Sequence, residues 1–381
     1  MIGRRNVLAG FAAGSAALAA PALVRAQART TLDVYIDGDT NIQDLWNNLV
    51  KPAFERANPG NTFRVTVTRG VGSGNRLIAE RALAAMDTKS DPRVDFFEEY
   101  DPRHPADSIA KGLWVEFTRD RIAGLANLNP LSADLPQRLP YRGSQVLIAY
   151  DGAKVKEAPK SWAELVAWAK RNPGRFTYGR PDRGGSGRNF VVRAVHEANG
   201  RDPGLFRADN FDAKLAEERF GRAWEVLRDL HPHTYGQGAY PAGNTPALQL
   251  LAQGAVDMIA VWSDQAIQAI GQGVLPPTTK LVQLQDLGLC GGFAYSAIPT
   301  NAKNLDMALK LAELSLSTPI QTAIVKEIGG FPGIDWKHLP ADLREAYIDI
   351  IPLSIPTFPS GEWNNAMNDG WYRSVATNVA R

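Results

Sequence analysis

The amino-acid sequence predicts an α/β chain of two or three domains, each built on a mostly parallel sheet. Strand-like and helix-like patterns alternate along the chain, which is typical of strand–helix–strand units. The 381 residues are too many for one small core. Hydrophobic residues make up 44% and charged residues 22%, an ordinary globular composition that excludes a disordered, collagen-like or coiled-coil chain.

Charge and cysteine content exclude several classes of protein. Lysine and arginine number 42 against 40 acidic residues, so the strong basic excess of a nucleic-acid-binding protein is missing. The single cysteine, Cys290, excludes an intramolecular disulfide, a four-cysteine zinc site and an all-cysteine iron–sulfur cluster. We expect no cofactor and no metal, because His231 and His233 flank a proline rather than forming a standard ligand spacing.

Residues 1–28 are predicted to be a cleaved secretory signal peptide. Arg4 and Arg5 precede an alanine-rich apolar run, and Ala26–Ala28 forms a small-x-small cleavage site. The paired arginines resemble a twin-arginine signal. A membrane anchor is the alternative, but the run falls short of the roughly 20 strongly apolar residues that a span needs. Cleavage removes three arginines and no acids, which leaves 39 basic and 40 acidic residues and a net charge of −1.

The first half of the mature chain is predicted to contain short strands separated by helices. Apolar residues recur at helical spacing from Ile42 to Phe54, and the glycine-rich turn Gly70–Gly74 opens a second helix. The short apolar or alternating runs between these helices predict strands. These strands are Thr31–Ile36, Phe63–Thr68, Val94–Phe97 and Val146–Tyr150.

The second half carries clearer helix signals. Ser161 and Glu164 form a capping box, and Thr318-Pro319 starts a helix that Gly329-Gly330 ends. Gly184–Gly187 is predicted to be a loop before a helix that begins near Asn189. The remaining predicted elements are strands at Phe176–Tyr178, Val256–Val261 and Phe293–Ile298, and helices near 212–230, 245–253, 305–316 and 340–347.

Four stretches of the mature chain carry a family resemblance. The first is the strand–helix opening after residue 28. Gly143–Asp151 resembles a strand that crosses between two lobes, and Pro159–Leu165 resembles a "P-x-S-W-x-x-L" helix start. Leu251–Met258 with Trp262, followed by Ala297–Asn304, completes the set. Together they resemble the periplasmic solute-binding proteins of bacterial ABC importers, in the family that includes polyamine, thiamine and ferric-iron binders.

The resemblance implies a two-lobe periplasmic-binding-protein fold of the type II kind, with crossing strands as the hinge. Lobe one would comprise 29–146 plus 291–335, lobe two 147–290, and the tail 336–381 would pack across both lobes. The protein would be non-catalytic and periplasmic, exported by the twin-arginine route. It would capture one small solute and deliver it to an ABC permease complex in the inner membrane. We expect a monomer with no nucleic-acid partner.

The candidate ligand contacts follow predicted strands, because ligands of α/β sheets sit beyond the carboxyl ends of the strands. Trp262 and Asp264 resemble the Trp-x-Asp pair of polyamine binders, and an indole face and a carboxylate both attract an ammonium group. A core tryptophan beside a helix-capping aspartate is the alternative. Two polar loops, for which solvated turns are the alternative, complete the predicted cation site: Asp37, Asp39, Thr40 and Asn41, and Glu98, Glu99 and Tyr100.

A second set of candidates suits an anionic or phosphorylated solute. Ser186 and Gly187, in the loop Gly184–Gly187, could present backbone N–H groups to an anion, and a plain helix cap is the alternative. Gly70–Asn75 is a similar loop, but it lacks the lysine of a nucleotide-binding P-loop. The arginines beside these two loops are Arg69, Arg76, Arg183 and Arg188. Further cleft candidates, for which core or hinge packing is the alternative, are Tyr240, Asn244 and Tyr295.

A small organic cation, such as a polyamine or a thiamine-like amine, is therefore the predicted ligand. An anionic or phosphorylated solute and ferric iron are the alternatives, although the adjacent tyrosine pair of many iron binders is absent. A secreted enzyme on the same fold is the alternative from a different functional class. It lacks support, because the sequence contains no Gly-x-Ser-x-Gly and no His-Glu-x-x-His pattern. Cys290 lies in an apolar, glycine-rich stretch and is predicted to be a buried, inert thiol.

Overall fold

A computed structural model describes residues 29–38, 40–68, 73–99, 107–132, 136–352 and 354–380, with the backbone alone at 73–75, 99 and 349. The predicted signal peptide lies outside these residues. The strands are β1 (Thr31–Ile36), β2 (Thr62–Val67), β3 (Phe96–Glu99), β4 (Leu139–Asp151), β5 (Phe176–Thr177), β6 (Met258–Trp262), β7 (Thr279–Val282), β8 (Gly291–Ala297) and β9 (Phe331–Pro332). The helices are α1 (Thr40–Asp44), α2 (Lys51–Ala57), α3 (Ser73–Thr88), α4 (Trp162–Arg171), α5 (Gly185–Ala198), α6 (Ala213–Leu230), α7 (Asn244–Ala252), α8 (Ser263–Gly271), α9 (Leu305–Ser315), α10 (Thr318–Ile328), α11 (Ala341–Ala346) and α12 (Gly361–Ser374).

The strands form a mixed sheet rather than the mostly parallel one that the sequence predicts. The order is β2-β1-β3-β8-β4-β6-β5, with β7 and β9 also paired to β4. Pairs made by β1 with β2 and β3, and by β5 with β6, are parallel. Every described pair that contains β4 or β8 is antiparallel. The prediction of a mostly parallel sheet was wrong, because the alternation of strand-like and helix-like patterns does not reveal that β4 and β8 run antiparallel to their neighbours.

Strand β4 links two parts of the sheet. Its first half, through Gln145, pairs with β8, and its second half, from Val146, pairs with β6. The strand therefore leaves one group of strands and enters the other within one residue step. The residue pattern predicted a strand over Val146–Tyr150 and the family resemblance placed the crossing strand at Gly143–Asp151, so both predictions began later than β4 does. Pro140 and Arg142 interrupt the apolar pattern upstream.

Two large hydrophobic cores lie on either side of this crossing. The first core contains Trp46, Phe63 and Phe96, and it gathers side chains from β1, β2 and α10. The second contains Phe176 of β5, together with Phe190 and other side chains of α5 and α6. We call these cores the first and second core. The lobe boundaries at 146/147 and 290/291 stay predictions.

The tail contributes to both cores. Trp336, Leu339 and Leu343 pack in the first core. Trp363 and Trp371 of α12 are almost fully buried in the second. The sequence analysis missed α12, although Trp363, Met367 and Trp371 recur at the four-residue spacing of a buried helix face. Glycines at 361 and 370 obscured that signal.

Two predicted loops belong to regular elements. Strand β3 extends through Glu98 and Glu99, whose Cα partners on β8 are Ser296 and Tyr295, so the acidic pair is not in a loop. Helix α5 begins at Gly185 rather than near Asn189. Local sequence underestimates both elements because cross-strand pairing lengthens β3, while helix packing overrides the low helix propensity of glycine.

The capping predictions for α4 and α10 were more accurate. The Ser161 side chain accepts a hydrogen bond from the Glu164 backbone N–H at 3.2 Å, and α4 begins at Trp162. Helix α10 ends at Gly329, which has a φ of +65°. A Cβ at Gly329 would also lie 2.4 Å from Ile267 Cβ, so glycine lets α10 approach α8 closely.

Candidate functional site

The crossing between the two cores is held by a buried glutamine. Gln145 donates its backbone N–H to Ser263 Oγ at 3.3 Å and its side-chain amide to the Leu289 carbonyl at 2.9 Å. Its Oε1 accepts a hydrogen bond from Gln283 at 3.1 Å. On β8, a Cβ at Gly291 would meet the Gln145 backbone at 2.8 Å, so glycine is needed there. The two crossing segments are therefore fixed against each other at Gln145.

A buried hydrogen-bond chain, Asn41–Asp264–Ser144, joins the first core to α8 beside this crossing. Asn41 Nδ2 donates to Asp264 Oδ2 at 3.1 Å, and Ser144 Oγ donates to Asp264 Oδ1 at 2.7 Å. All three residues are buried. Asp264 lies in the first turn of α8, where a carboxylate also favours the helix dipole. Asn41 belongs to α1 rather than to the predicted loop, so Asp264 links α1 to β4 and to α8.

Arg142 and Glu98 form an ion pair on the side of the first core. We call this pair, with Tyr141, the floor of the candidate site. Arg142 Nη2 donates to Glu98 Oε1 at 2.9 Å, and Arg142 Nε donates to the Tyr141 hydroxyl at 2.8 Å. Glu98 is 1% exposed, and its Oε2 has no hydrogen-bond partner among the described residues. A buried acceptor without a partner costs free energy unless a donor arrives.

The electrostatics of this floor are dominated by carboxylates. Burial raises the pKa of Glu98, Arg142 and Tyr141 lower it in part, and Asp37 raises it further. Burial disfavours the charge of Arg142, yet Tyr141, Glu98 and Asp264 raise its pKa above the ordinary value. Glu98 and Asp264 thus place two carboxylates near the Arg142 guanidinium.

Trp262 is the last residue of β6, and its Cα partner on β4 is Val146. Its indole is half-buried, and a Cβ at Gly185 would lie 2.8 Å from an indole ring carbon. The ring of Phe358 lies on the indole at a centroid distance of 6.3 Å and an angle of 44°. The glycine at the start of α5 therefore makes room for an indole at the carboxyl end of β6, where ligands of α/β sheets bind.

The start of α5 is already capped. Asn244 Oδ1 accepts hydrogen bonds from the Ser186 backbone N–H at 3.1 Å and from Ser186 Oγ at 2.9 Å. A Cβ at Gly187 would lie 1.9 Å from the Gly179 carbonyl oxygen, so this glycine serves close packing. Two of the donors that could hold an anion at this helix start are thus occupied from within the chain.

The arginines that suited an anionic solute are also engaged. Arg76 pairs with Glu80 at 2.7 Å, and Arg183 pairs with Asp182 at 3.2 Å. Arg188 Nε donates to the Pro181 carbonyl at 3.1 Å, and burial lowers its pKa. Arg69 and Gly70–Gly72 lie outside the described residues. Arg76 and Arg183 thus each have a carboxylate partner, and Arg188 has a backbone carbonyl as acceptor.

Tyr240 and Tyr295 are packed in the interior. Burial raises the pKa of Tyr240 to about 12, and its hydroxyl lies 3.0 Å from His231 Nδ1. Tyr295 donates to the Ser132 carbonyl at 3.2 Å, and the Arg138 guanidinium lies 4.0 Å from its ring centroid. Both positions fit the core-packing alternative, and their roles as ligand contacts stay predictions.

The structure describes only some of the remaining candidate residues. Asp37 and Thr40 flank Asp39, which lies outside the described residues together with Tyr100, and the Glu99 side chain is also outside them. Burial raises the pKa of Cys290 to about 12, which suits an inert thiol. Over the described ranges, no group of three or more His, Cys, Asp or Glu side chains could hold a metal ion.

Four residues that sequence reasoning did not select are central to this arrangement. Arg142, Ser144 and Gln145 are polar residues close together in a buried strand, and they are buried themselves. Polar residues in such a strand were an available signal. Phe358 had no comparable signal, because it lies in the proline-rich tail, far along the chain from Trp262.

The chain matches the family of bacterial extracellular solute-binding proteins over residues 50–336. It belongs to that family. It is 26% identical to protein YnjB of Escherichia coli (strain K12) over 245 residues, and the match covers 62% of this chain and 62% of YnjB. The match thus spans less than two thirds of that relative.

Solved structures share the whole architecture. The spermidine/putrescine transporter substrate-binding protein PotD of Streptococcus pneumoniae matches with a TM-score of 0.66 and 16% identity, covering 90% of this chain and 98% of PotD. AfuA of Actinobacillus pleuropneumoniae, solved with fructose-6-phosphate, matches with a TM-score of 0.59 and 13% identity, covering 92% of this chain and 99% of AfuA. These likenesses establish the two-lobe periplasmic-binding-protein fold. They do not decide the ligand, because the two proteins bind different solutes.

No helix in the described part of the chain is long and apolar enough to cross a bilayer. The twin-arginine export route gains no support from the comparisons.

Proposed function

We propose that this protein is the periplasmic substrate-binding component of an ABC importer and that its solute is a small organic cation, such as a polyamine or a thiamine-like amine. The solute enters the cleft between the lobes 29–146 plus 291–335 and 147–290, which close about the crossing at Gln145. A monomer then delivers the solute, unaltered, to the permease complex in the inner membrane. Family membership supports the transport role.

The charge of the cleft floor carries the choice of a cation. Glu98 offers a buried carboxylate oxygen with no hydrogen-bond partner among the described residues, and the Asp264 carboxylate acts on the same Arg142 guanidinium. An ammonium group donates hydrogen bonds and neutralises this excess. An anion would add to the negative charge already present, and the capped start of α5 offers it fewer donors.

A half-buried tryptophan supports the same class of solute. Trp262 presents an indole at the carboxyl end of β6, and an indole face attracts a cation by roughly 0.5–2 kcal/mol. PotD, whose name gives spermidine and putrescine as its solutes, shares the fold. AfuA shares it as well and was solved with a phosphorylated sugar, so the chain's own residues must decide between the two classes.

A thermal-shift screen of the chain from residue 29 tests the proposal. Spermidine, putrescine and thiamine should raise the melting temperature, because ligand at about 100 times the dissociation constant adds about 2.7 kcal/mol of stability. Trp262→Ala should abolish the shift. Trp168→Ala, which removes a half-buried tryptophan of α4, is the matched control and should keep it. Shifts confined to phosphates would reject the cation assignment.

A further inference from the structure

The segment that returns from the second core to the first is held by a buried arginine. We call residues 286–292 the return crossing. Arg193 of α5 is 1% exposed, and its Nε donates to the Leu287 carbonyl at 2.8 Å. Its Nη1 donates to Glu197 Oε2 at 2.8 Å, and its Nη2 forms an ion pair with Asp286 Oδ2 at 3.0 Å. One guanidinium thus joins α5 to both the backbone and a side chain of the return crossing.

Asp286 extends this cluster to the start of α4. Its Oδ2 accepts a hydrogen bond from the Trp162 backbone N–H at 3.0 Å, and the Arg193 guanidinium lies 5.5 Å from the Trp162 ring centroid. Burial alone would raise the pKa of Asp286, but the Trp162 N–H and the charge of Arg193 lower it below its ordinary value. The carboxylate is therefore ionised at neutral pH, and contacts between ionised partners are stronger than neutral hydrogen bonds.

The far end of the return crossing pairs with β4. The Leu289 carbonyl accepts from the Gln145 side-chain amide at 2.9 Å, and the Cys290 carbonyl accepts from the Val146 N–H at 3.1 Å. The ladder between β8 and the first half of β4 begins at the next residue, Gly291, opposite Gln145. Both crossings therefore pass between the cores at the same level, and the return crossing reaches that level directly from its bonds to α5.

We propose that Arg193 is a positioning residue, which makes residues 286–289 move as one body with the second core and so confines the bend of the return crossing to Cys290–Gly292. A hinge rotation is absorbed by a few backbone positions, and the two glycines there allow a wide range of dihedral angles. Because α5 also begins at Gly185, beside the Trp262 indole, one helix holds both the candidate site and the start of the hinge. The inference goes beyond the proposed function, since it holds for a solute of either charge.

The Arg193 contact limits the number of open conformations. Without it, residues 286–289 could bend as well, and the solute-free protein would sample more orientations of its two cores. Closing on any solute would then cost more conformational entropy. Arg193 therefore favours tight binding without touching the solute.

Amide hydrogen exchange of the solute-free chain from residue 29, measured by NMR, tests this role. Arg193→Met should lower the protection of the Val146 and Gly291 amides about tenfold, because a hydrogen bond to a charged group has an effect of this order. Arg193→Lys keeps the charge but not the fork of donors, so the same two amides should lose less protection. Val192→Ala is the control, because it removes buried volume from the same helix. It should lower the protection of the α6 amides and leave those of Val146 and Gly291 unchanged.

Two results would overturn the role of Arg193. One is unchanged protection of the Val146 and Gly291 amides in Arg193→Met, or in Arg193→Lys should the methionine variant not fold. The other is an equal loss at these two amides in Val192→Ala and Arg193→Met, because the return crossing would then open only together with the whole second core. Either result leaves the proposed function standing, since no solute enters the measurement.

Discussion

The two walls of the proposed cleft differ in their chemistry. On the first-core side, a carboxylate of the buried Glu98–Arg142 pair keeps one oxygen without a partner among the described residues. On the second-core side, the polar groups at the start of α5 satisfy one another through Ser186 and Asn244, and the half-buried indole of Trp262 lies next to Gly185. One wall therefore still has an acceptor to offer, while the other offers mainly an apolar surface. The difference predicts which end of a solute faces which wall.

Breaking the ion pair of the first wall should produce the largest effect. Arg142→Met leaves the Glu98 carboxylate buried without its partner, and such losses destabilise proteins by about 3–5 kcal/mol. Urea denaturation measures this change in the free energy of unfolding. The double variant Arg142→Met/Glu98→Leu should recover most of the loss. A single variant within about 1 kcal/mol of the wild type would show that the pair is not buried as described.

Acid should weaken the second core through His196. This side chain is fully buried, neither ring nitrogen has a hydrogen-bond partner among the described residues, and burial followed by the charge of Arg193 lowers its pKa to about 4. The unfolded chain binds the proton near pH 6.5, and the native state only near pH 4. The native state is therefore favoured above pH 6.5, and this contribution is lost as the pH falls toward 4.

The size of the acid effect can be checked with one variant. The full loss is about 3 kcal/mol, and about 2 kcal/mol of it should appear between pH 7.5 and pH 5. His196→Leu removes the titrating group, so its free energy of unfolding should change less over this interval than that of the wild type. Equal changes in the two proteins would mean that His196 is solvated or protonated in the native state.

Removing the Asn244 acceptor from the start of α5 tests whether the second wall lacks free hydrogen-bond donors. Asn244→Ala removes the oxygen that accepts from the Ser186 N–H and hydroxyl, which should cost about 1–2 kcal/mol. The freed donors at the start of α5 should then give measurable binding of inorganic phosphate, which the wild type should lack. Asn244→Asp keeps the acceptor and is the control. Calorimetric titration that finds equal phosphate binding in wild type and Asn244→Ala would contradict the capped arrangement.

The hydrogen bond between Asn41 and Asp264 should have the smallest effect. Asn41→Ala removes one hydrogen bond to Asp264, worth about 1 kcal/mol, which shifts an open–closed equilibrium about fivefold toward the open form. Small-angle scattering should show a larger mean radius of gyration. Asn48→Ala is the control, because the exposed Asn48 bonds to Asp44 one helical turn away. An unchanged radius would place Asn41 outside the closing contacts.

Local sequence patterns predicted much of the fold. Thr31–Ile36, the cap at Ser161 and the glycine stop at Gly329 all depend on neighbouring residues, and the structure has them at the predicted positions. The antiparallel path of β4 and β8 depends on contacts between residues far apart in sequence, and the pattern did not contain it. Helix α12 was missed where glycines weakened an otherwise regular spacing.

The candidate site was predictable only in part. The acidic residues and Trp262 were selectable because they follow strands or end them. The contacts between them were not, since Asn41 and Asp264 are separated by 223 positions and meet only in the folded chain. The cap that Asn244 provides for Ser186 is equally non-local, so the sequence could not show that a glycine-rich helix start already has its acceptor.

Small-angle scattering of the chain from residue 29, recorded with saturating spermidine, thiamine or inorganic phosphate, tests the central claim most directly. The carboxylates near Arg142 and the indole at the end of β6 predict that at least one of the two cations reduces the radius of gyration and that phosphate does not. Compaction by phosphate alone, or an unchanged radius with a cation that calorimetry shows to be bound, would contradict it.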